Sequence, residues 1–154
     1  DDEIPAGIAS PPNAVEPTAF QERNLPQDRL AYLESIHQRK TGALFSASID
    51  LGAVLVGAPT DKRTILSNYA RNLGLAFQVV DDLLDFTSEA STLGKRAGKD
   101  ADRGKLTYPG LLGLEAAREK ARQLIDSASR EVAVFGASSR RLTLLASYVL
   151  ERTH

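Results

Sequence analysis

Three aspartates stand close together in the stretch FQVVDDLLDF, residues 77–86, which is otherwise almost entirely apolar. At a helical period, Asp81, Asp82 and Asp85 fall together with Gln78 within an arc of roughly 100°. The other positions are apolar, which predicts a helix packed on most sides with one polar window. Carboxylates without nearby His or Cys suit Mg²⁺ or Mn²⁺, and Mg²⁺ commonly completes its shell with water and phosphate. The three aspartates are therefore candidate metal ligands facing a phosphate-bearing molecule.

The same aspartates could instead form the solvated face of a peripheral helix. Asp is a poor helix former, and a negative charge near a helix C-terminus opposes the helix dipole. Three such residues among apolar neighbours reduce the stability of the helix, and a bound cation would offset this loss. We therefore favour the metal site over the solvated face.

Basic residues follow the aspartates in LGKRAGKDADRGKLTYP, residues 93–109, where they alternate with glycines. Such a segment could close over a diphosphate, although a solvated surface segment is an equally good interpretation. Upstream, Lys40 and Thr41 stand at an expected helix junction, where an ammonium and a hydroxyl could reach the same anion. His37 is expected to be a hydrogen-bonded structural residue rather than a ligand or base.

The elements that must position these residues all have a helical period, so the sequence predicts an all-α domain over residues 28–154. Residues 1–27 hold five of the seven prolines and are expected to form an irregular arm. A loop without periodicity is expected at 88–106. Capping residues and apolar spacing predict helices near 28–38, 40–57, 60–87, 109–114, 115–134 and 139–152.

Composition excludes several classes of function. The chain has no cysteine, so disulfides, thiolate zinc sites and a cysteine nucleophile are excluded. A net charge of −1 gives no basic field that would indicate nucleic-acid binding. No apolar run approaches the roughly 20 residues that cross a bilayer, and we expect a cytoplasmic protein.

Four motifs, taken in order, resemble the C-terminal half of trans-isoprenyl diphosphate synthases, in particular the bacterial farnesyl and geranylgeranyl type. They are HQRKTGALF, GLAFQVVDDLLDFT, LGKRAGKDADRGKLTYPGLLGLE and the terminal YVLERTH. The resemblance runs from about residue 30 to the end of the chain. It implies the helical bundle of the isoprenoid synthases and a transferase that condenses an allylic diphosphate with isopentenyl diphosphate.

The resemblance also implies roles for the acidic and basic residues. Asp81, Asp82 and Asp85 match the second aspartate-rich motif, which holds Mg²⁺ against the allylic diphosphate. Lys95 and Lys105 match lysines that contact this diphosphate.

The remaining implied roles concern the bond that breaks. Lys40 and Thr41 match a pair beside the allylic carbon–oxygen bond. Thr41 and Gln78 would steady the developing carbocation and assist proton loss, and Phe77 would line the apolar channel.

One part of the family pattern has no counterpart in the sequence. The first aspartate-rich motif, DDxxxxD, is not found, because Asp1 and Asp2 lack a third aspartate at that spacing. We therefore expect the chain to be inactive unless a second polypeptide supplies the other wall of the site. A half-bundle would expose apolar helix faces, so a homodimer or association with another synthase chain is expected. The alternatives are a non-catalytic subunit that binds diphosphate, and a helical interaction module.

Overall fold

The computed structural model describes residues 28–93 and 106–152, with only the backbone described at 89–93. All regular structure in these two ranges is helical, which confirms the predicted all-α fold. The predicted arm at 1–27 lies outside them. The helices are α1 Arg29–His37, α2 Ala43–Leu55, α3 Thr60–Leu93, α4 Tyr108–Leu112, α5 Leu114–Val132 and α6 Arg140–Glu151; a π turn, Gln38–Gly42, joins α1 to α2, and a 3-10 segment, Ala133–Ser139, joins α5 to α6.

The long helix α3 is the centre of the domain and contacts each of the other five described helices. Its most extensive contact is with α5. Both helices bury a stripe at spacings of three and four, as the helical period requires. The stripe of α3 consists of Tyr69, Leu73, Ala76, Val80 and Leu83. The stripe of α5 contains small residues that allow close approach, and consists of Ala117, Ala121, Leu124, Ile125, Ala128 and Val132.

The first two predicted helices form one continuous rod in the structure. The sequence predicted a junction near residue 39, but the backbone keeps helical dihedral angles through it and absorbs an extra residue as a π turn. The predicted stop after residue 57 is confirmed. Gly57 adopts a φ of 66°, and its N–H donates to the Val54 carbonyl. A positive φ at this position favours glycine and ends the helix.

Helix α3 extends to Leu93, so the prediction that a loop begins at residue 88 is wrong. The hydroxyl of Thr87 donates to the Leu83 carbonyl one turn earlier, at 3.0 Å. A threonine that bonds the preceding turn in this way is compatible with helix. After Thr87, the sequence contains no glycine or proline before Gly94.

The short helix α4 is defined by caps at both ends. Thr107 accepts a hydrogen bond from the Gly110 N–H, at 3.2 Å. Gly113 has a φ of 83°, which terminates α4 and begins α5. These caps turn the chain sharply, so that α5 runs back along α3.

Helix α6 is tied to α3 by a long-range hydrogen bond, in which the Tyr69 hydroxyl donates to the Leu142 carbonyl at 2.8 Å. Ser139 precedes α6, and its hydroxyl donates to the Gly136 carbonyl instead of capping the helix. Within the described ranges, none of the helices is both long enough and apolar enough to cross a bilayer.

Candidate functional site

The acidic window of α3 divides into an outward part and an inward part. Asp81 keeps 49% of its side chain exposed, and Asp85, one turn later, is also exposed. Asp82 is buried with 6% exposure, and Gln78 is buried as well. The helical period of the sequence predicted a single polar window flanked by buried residues. The separation of this window into an exposed part and a buried part departs from that prediction. Phe86, expected to be packed, is exposed.

Asp81 and Asp85 form the more exposed part of the window. They are four residues apart, which places their side chains next to each other on the helix surface. In the part of the chain that the structure describes, no group of three acidic or imidazole side chains is arranged to hold a metal. Two carboxylates still fit Mg²⁺, which is often bound by one or two carboxylates together with water and substrate phosphate.

A cation of the protein already lies beside this pair. The guanidinium of Arg152, just after α6, has Nη2 3.8 Å from Oδ1 of Asp81. The same guanidinium stacks over the ring of Phe77, with Cζ 4.7 Å from the ring centroid. Arg152 therefore connects the acidic pair to the aromatic surface next to it. The sequence analysis assigned no role to Arg152, although it belongs to the terminal motif YVLERTH.

Asp82 has a different environment from its neighbour Asp81. Its Oδ2 accepts a hydrogen bond from the backbone N–H of Tyr108 at 3.0 Å. The Nε2 atom of His37 lies 3.8 Å from the same oxygen. Both groups approach from the interior, where α1 and the start of α4 meet α3.

The aromatic rings of His37 and Tyr108 stack with centroids 5.7 Å apart. Burial raises the pKa of the Tyr108 hydroxyl far above its usual value, and the nearby Glu34 and Asp82 carboxylates raise it further. No hydrogen-bond partner for either ring nitrogen of His37 lies within the described ranges. The hydrogen bond predicted for His37 is thus absent there, and its structural role stays a prediction.

Lys40 and Thr41 lie in the π turn, a feature that often marks functional sites. Lys40 is exposed and Thr41 is half-buried. The next residue, Gly42, lies so close to α3 that a Cβ atom on Gly74 would stand 3.1 Å from its Cα. Two glycines at this crossing allow the π turn to approach the stretch of α3 that precedes the aspartates.

An aromatic pair lies next to this crossing. Phe45 of α2 and Phe77 of α3 have ring centroids 5.5 Å apart. The structure thus groups Phe77 with Phe45, which the sequence analysis did not single out, although it ends the motif HQRKTGALF. Lys95 and Lys105, the predicted diphosphate contacts, lie outside the described residues.

Comparisons with known proteins identify the family to which the chain belongs. The sequence profile of the polyprenyl synthetase family matches residues 18–136. A dimethylallyltranstransferase of Fischerella ambigua is 48% identical over 135 residues, covering 88% of this chain and 39% of that protein. The farnesyl diphosphate synthase of Escherichia coli is 46% identical over 134 residues, covering 84% of this chain and 44% of the synthase. The chain thus spans less than half the length of these relatives.

A solved structure shows the same fold. The crystal structure of a putative farnesyl-diphosphate synthase from Marinomonas sp. MED121 aligns with a TM-score of 0.65 at 38% identity. The alignment covers 79% of this chain and 40% of that structure. The profile match extends over most of the chain and includes the π turn and the acidic end of α3. The chain therefore belongs to the polyprenyl synthetase family.

Proposed function

We propose that this chain forms one wall of a Mg²⁺-dependent trans-isoprenyl diphosphate synthase, which joins an allylic diphosphate to isopentenyl diphosphate. Its family and the names of its relatives support a prenyltransferase. The observation that carries the proposal is the crossing at Gly42 and Gly74. It brings the π turn with Lys40 and Thr41 to the segment of α3 that leads into the acidic pair.

The proposed roles follow from this geometry. Asp81 and Asp85 would hold Mg²⁺, which when bound would neutralise charge on the departing diphosphate. The exposed ammonium of Lys40 would attract the same anion. Thr41 and Gln78 would steady the allylic cation, and Phe77 would shield it from water.

Two further parts of the proposal rest on sequence. Lys95 and Lys105 would bind the diphosphate, because ammonium groups pair strongly with phosphate oxygens. The first aspartate-rich wall would come from another polypeptide segment, since DDxxxxD is not found in the sequence. We also propose that the protein acts in the cytoplasm.

The test is an assay with geranyl diphosphate, labelled isopentenyl diphosphate and Mg²⁺. The chain would be assayed alone and after mixing with the N-terminal half of the Escherichia coli synthase. We expect product only in the mixture, and we expect Asp81→Asn to abolish it. Asp126→Asn is the matched control, because Asp126 is exposed on α5. Failure of the mixture, with no thermal shift by Mg²⁺ and pyrophosphate, would contradict the proposal.

A second candidate function is a non-catalytic subunit that associates with a complete synthase. An exposed leucine stripe on α2, formed by Leu44, Leu51 and Leu55, favours association. Their spacing places them within roughly 40° on one face. In this case the chain would bind a full-length synthase and would give no product with the N-terminal half.

A further inference from the structure

Three polar atoms at the junction of α1 and α4 are buried and have no hydrogen-bond partner in the part of the chain that the structure describes. They are the hydroxyl of Tyr108 and both ring nitrogens of His37. Tyr108 is completely buried. Native proteins leave few buried polar groups unsatisfied, because each such group has given up its hydrogen bonds to water on folding. Three such atoms at one junction therefore require a partner that the described residues do not provide.

A carboxylate lies beside these atoms. Glu34 and His37 are three residues apart on α1, so their side chains are neighbours on one face of that helix. The ring of Tyr108 stacks on the His37 ring, with centroids 5.7 Å apart and planes inclined by 16°. Burial raises the pKa of the Tyr108 hydroxyl, and the Glu34 carboxylate raises it further, which places this carboxylate near the hydroxyl. The three side chains thus meet at one point between the two helices.

The protein contacts of this group leave hydrogen-bonding capacity unused. Glu34 forms an ion pair with Lys120 of α5, with Nζ 3.0 Å from Oε1, but these atoms are not aligned for a hydrogen bond. The Nε2 atom of His37 lies 3.8 Å from Oδ2 of Asp82, which is too far for a direct hydrogen bond. The two carboxylates disfavour an anion at the junction, and Lys120 already neutralises Glu34. A small neutral ligand that both donates and accepts hydrogen bonds fits this set of groups.

We propose that an ordered water molecule binds at this junction, hydrogen-bonded to the Tyr108 hydroxyl, to the Glu34 carboxylate and to a ring nitrogen of His37. Buried waters typically make about three hydrogen bonds to polar groups that would otherwise be unsatisfied. The water joins α1 to the start of α4, and it supplies the hydrogen bond that the sequence predicts for His37. None of its three partners is a proposed ligand of Mg²⁺, so the site does not depend on the proposed function.

The test combines a high-resolution crystal structure of the full chain with urea unfolding of two variants at neutral pH. Tyr108→Phe removes the hydroxyl and keeps the ring that stacks on His37. Tyr148→Phe is the matched control, because Tyr148 is 62% exposed on α6. The sign of the change in Tyr108→Phe is informative, because deleting a hydroxyl that has no partner removes an unsatisfied group and stabilises the protein.

In the crystal we expect a water oxygen about 2.6–3.2 Å from the Tyr108 Oη, from a carboxylate oxygen of Glu34 and from a ring nitrogen of His37. Tyr108→Phe should raise the equilibrium constant for unfolding about fivefold, because the hydrogen bond between the hydroxyl and the water is lost. Tyr148→Phe should leave this constant unchanged.

Two results would overturn the proposal. A Tyr108→Phe variant that is as stable as wild type, or more stable, would show that the hydroxyl has no hydrogen bond to lose. A crystal structure in which the Tyr108 Oη contacts Glu34 directly, or in which no water lies within hydrogen-bond distance of the Oη, would show that the junction does not bind water. If Tyr108→Phe does not fold, the crystal structure decides alone.

Discussion

Gly74 of α3 lies against Gly42 of the π turn, so closely that a Cβ atom on Gly74 would stand 3.1 Å from the Gly42 Cα and 3.4 Å from the Phe45 Cβ. The first of these neighbours is backbone, which cannot move aside as a flexible side chain can. The crossing therefore depends on the absence of a side chain at position 74. It also sets how closely Lys40 and Thr41 approach the helix that carries the aspartates.

Gly74→Ala should destabilise the protein. Overpacking costs about 1–3 kcal/mol, and the better helix preference of alanine returns about 1 kcal/mol, so the net loss is about 1 kcal/mol. Gly52→Ala is the matched control, because Gly52 lies inside α2 with no atom within 4 Å of the added Cβ. Gly52→Ala should raise the free energy of unfolding by about 0.5–1 kcal/mol. Urea unfolding measures both changes, and a stabilising Gly74→Ala would contradict the close crossing.

Removing Arg152 should strengthen the binding of Mn²⁺ alone. Its guanidinium lies 3.8 Å from the Asp81 carboxylate and competes with an added cation. A partly exposed pair of this kind is worth up to about 1 kcal/mol, which predicts binding about two- to fivefold tighter in Arg152→Ala. Arg141→Ala removes an equal charge from an exposed position on α6 and should have no such effect. Equal Mn²⁺ affinities for wild type and Arg152→Ala, measured by electron paramagnetic resonance, would show that the ion pair is absent in solution.

Much of the fold could be predicted from the sequence because it depends on local periodicity. Apolar residues at helical spacing recur in the predicted helix near 115–134, and three of them, Ala121, Leu124 and Ile125, are buried on one face of α5. The π turn could not be predicted in this way, since one extra residue in a turn scarcely disturbs an apolar pattern. The end of α2 near Gly57 could be predicted, because a glycine, which readily adopts a positive φ, is a local sequence signal for the end of a helix.

The site was less predictable than the fold, because its arrangement depends on distant parts of the chain. Asp81 and Asp82 are neighbours of the same type, and partners distant in sequence distinguish them, such as the Tyr108 amide that donates to Asp82 from 26 residues later. Arg152 reaches Asp81 and Phe77 because α6 lies beside α3 and runs in the same direction. Tyr108 and Arg152 lie outside α3, so a helical-wheel projection of α3 alone cannot show either of them.

Alkaline pH should destabilise the protein through two buried tyrosines. Burial raises the pKa of Tyr69 to about 12, and it also raises that of Tyr108. Above pH 10 the unfolded chain loses these phenolic protons while the folded chain keeps them. Each tyrosine should therefore lower the free energy of unfolding by about 1.4 kcal/mol per pH unit until the pH reaches its folded pKa.

Urea unfolding at about pH 9 and pH 11, on either side of the unfolded tyrosine pKa, measures this slope. At pH 9, Tyr69→Phe should be about 1 kcal/mol less stable than wild type, because the hydrogen bond to Leu142 is lost. Its loss of stability between the two pH values should nevertheless be smaller than that of wild type. An equally steep loss would mean that Tyr69 does not resist ionisation in the folded state.

The exposed leucines of α2 should drive association of the isolated chain. Leu44, Leu51 and Leu55 are 67%, 61% and 77% exposed and share one face of the helix, which makes a contiguous apolar surface. Leu51→Asp should reduce the weight-average mass in sedimentation equilibrium without lowering the midpoint of thermal unfolding, because no buried contact is lost. Val134→Asp places the same charge on an exposed apolar residue of the 3-10 segment and should leave the mass unchanged. A wild-type chain that sediments as a monomer, or equal effects of the two substitutions, would show that this face of α2 does not mediate association.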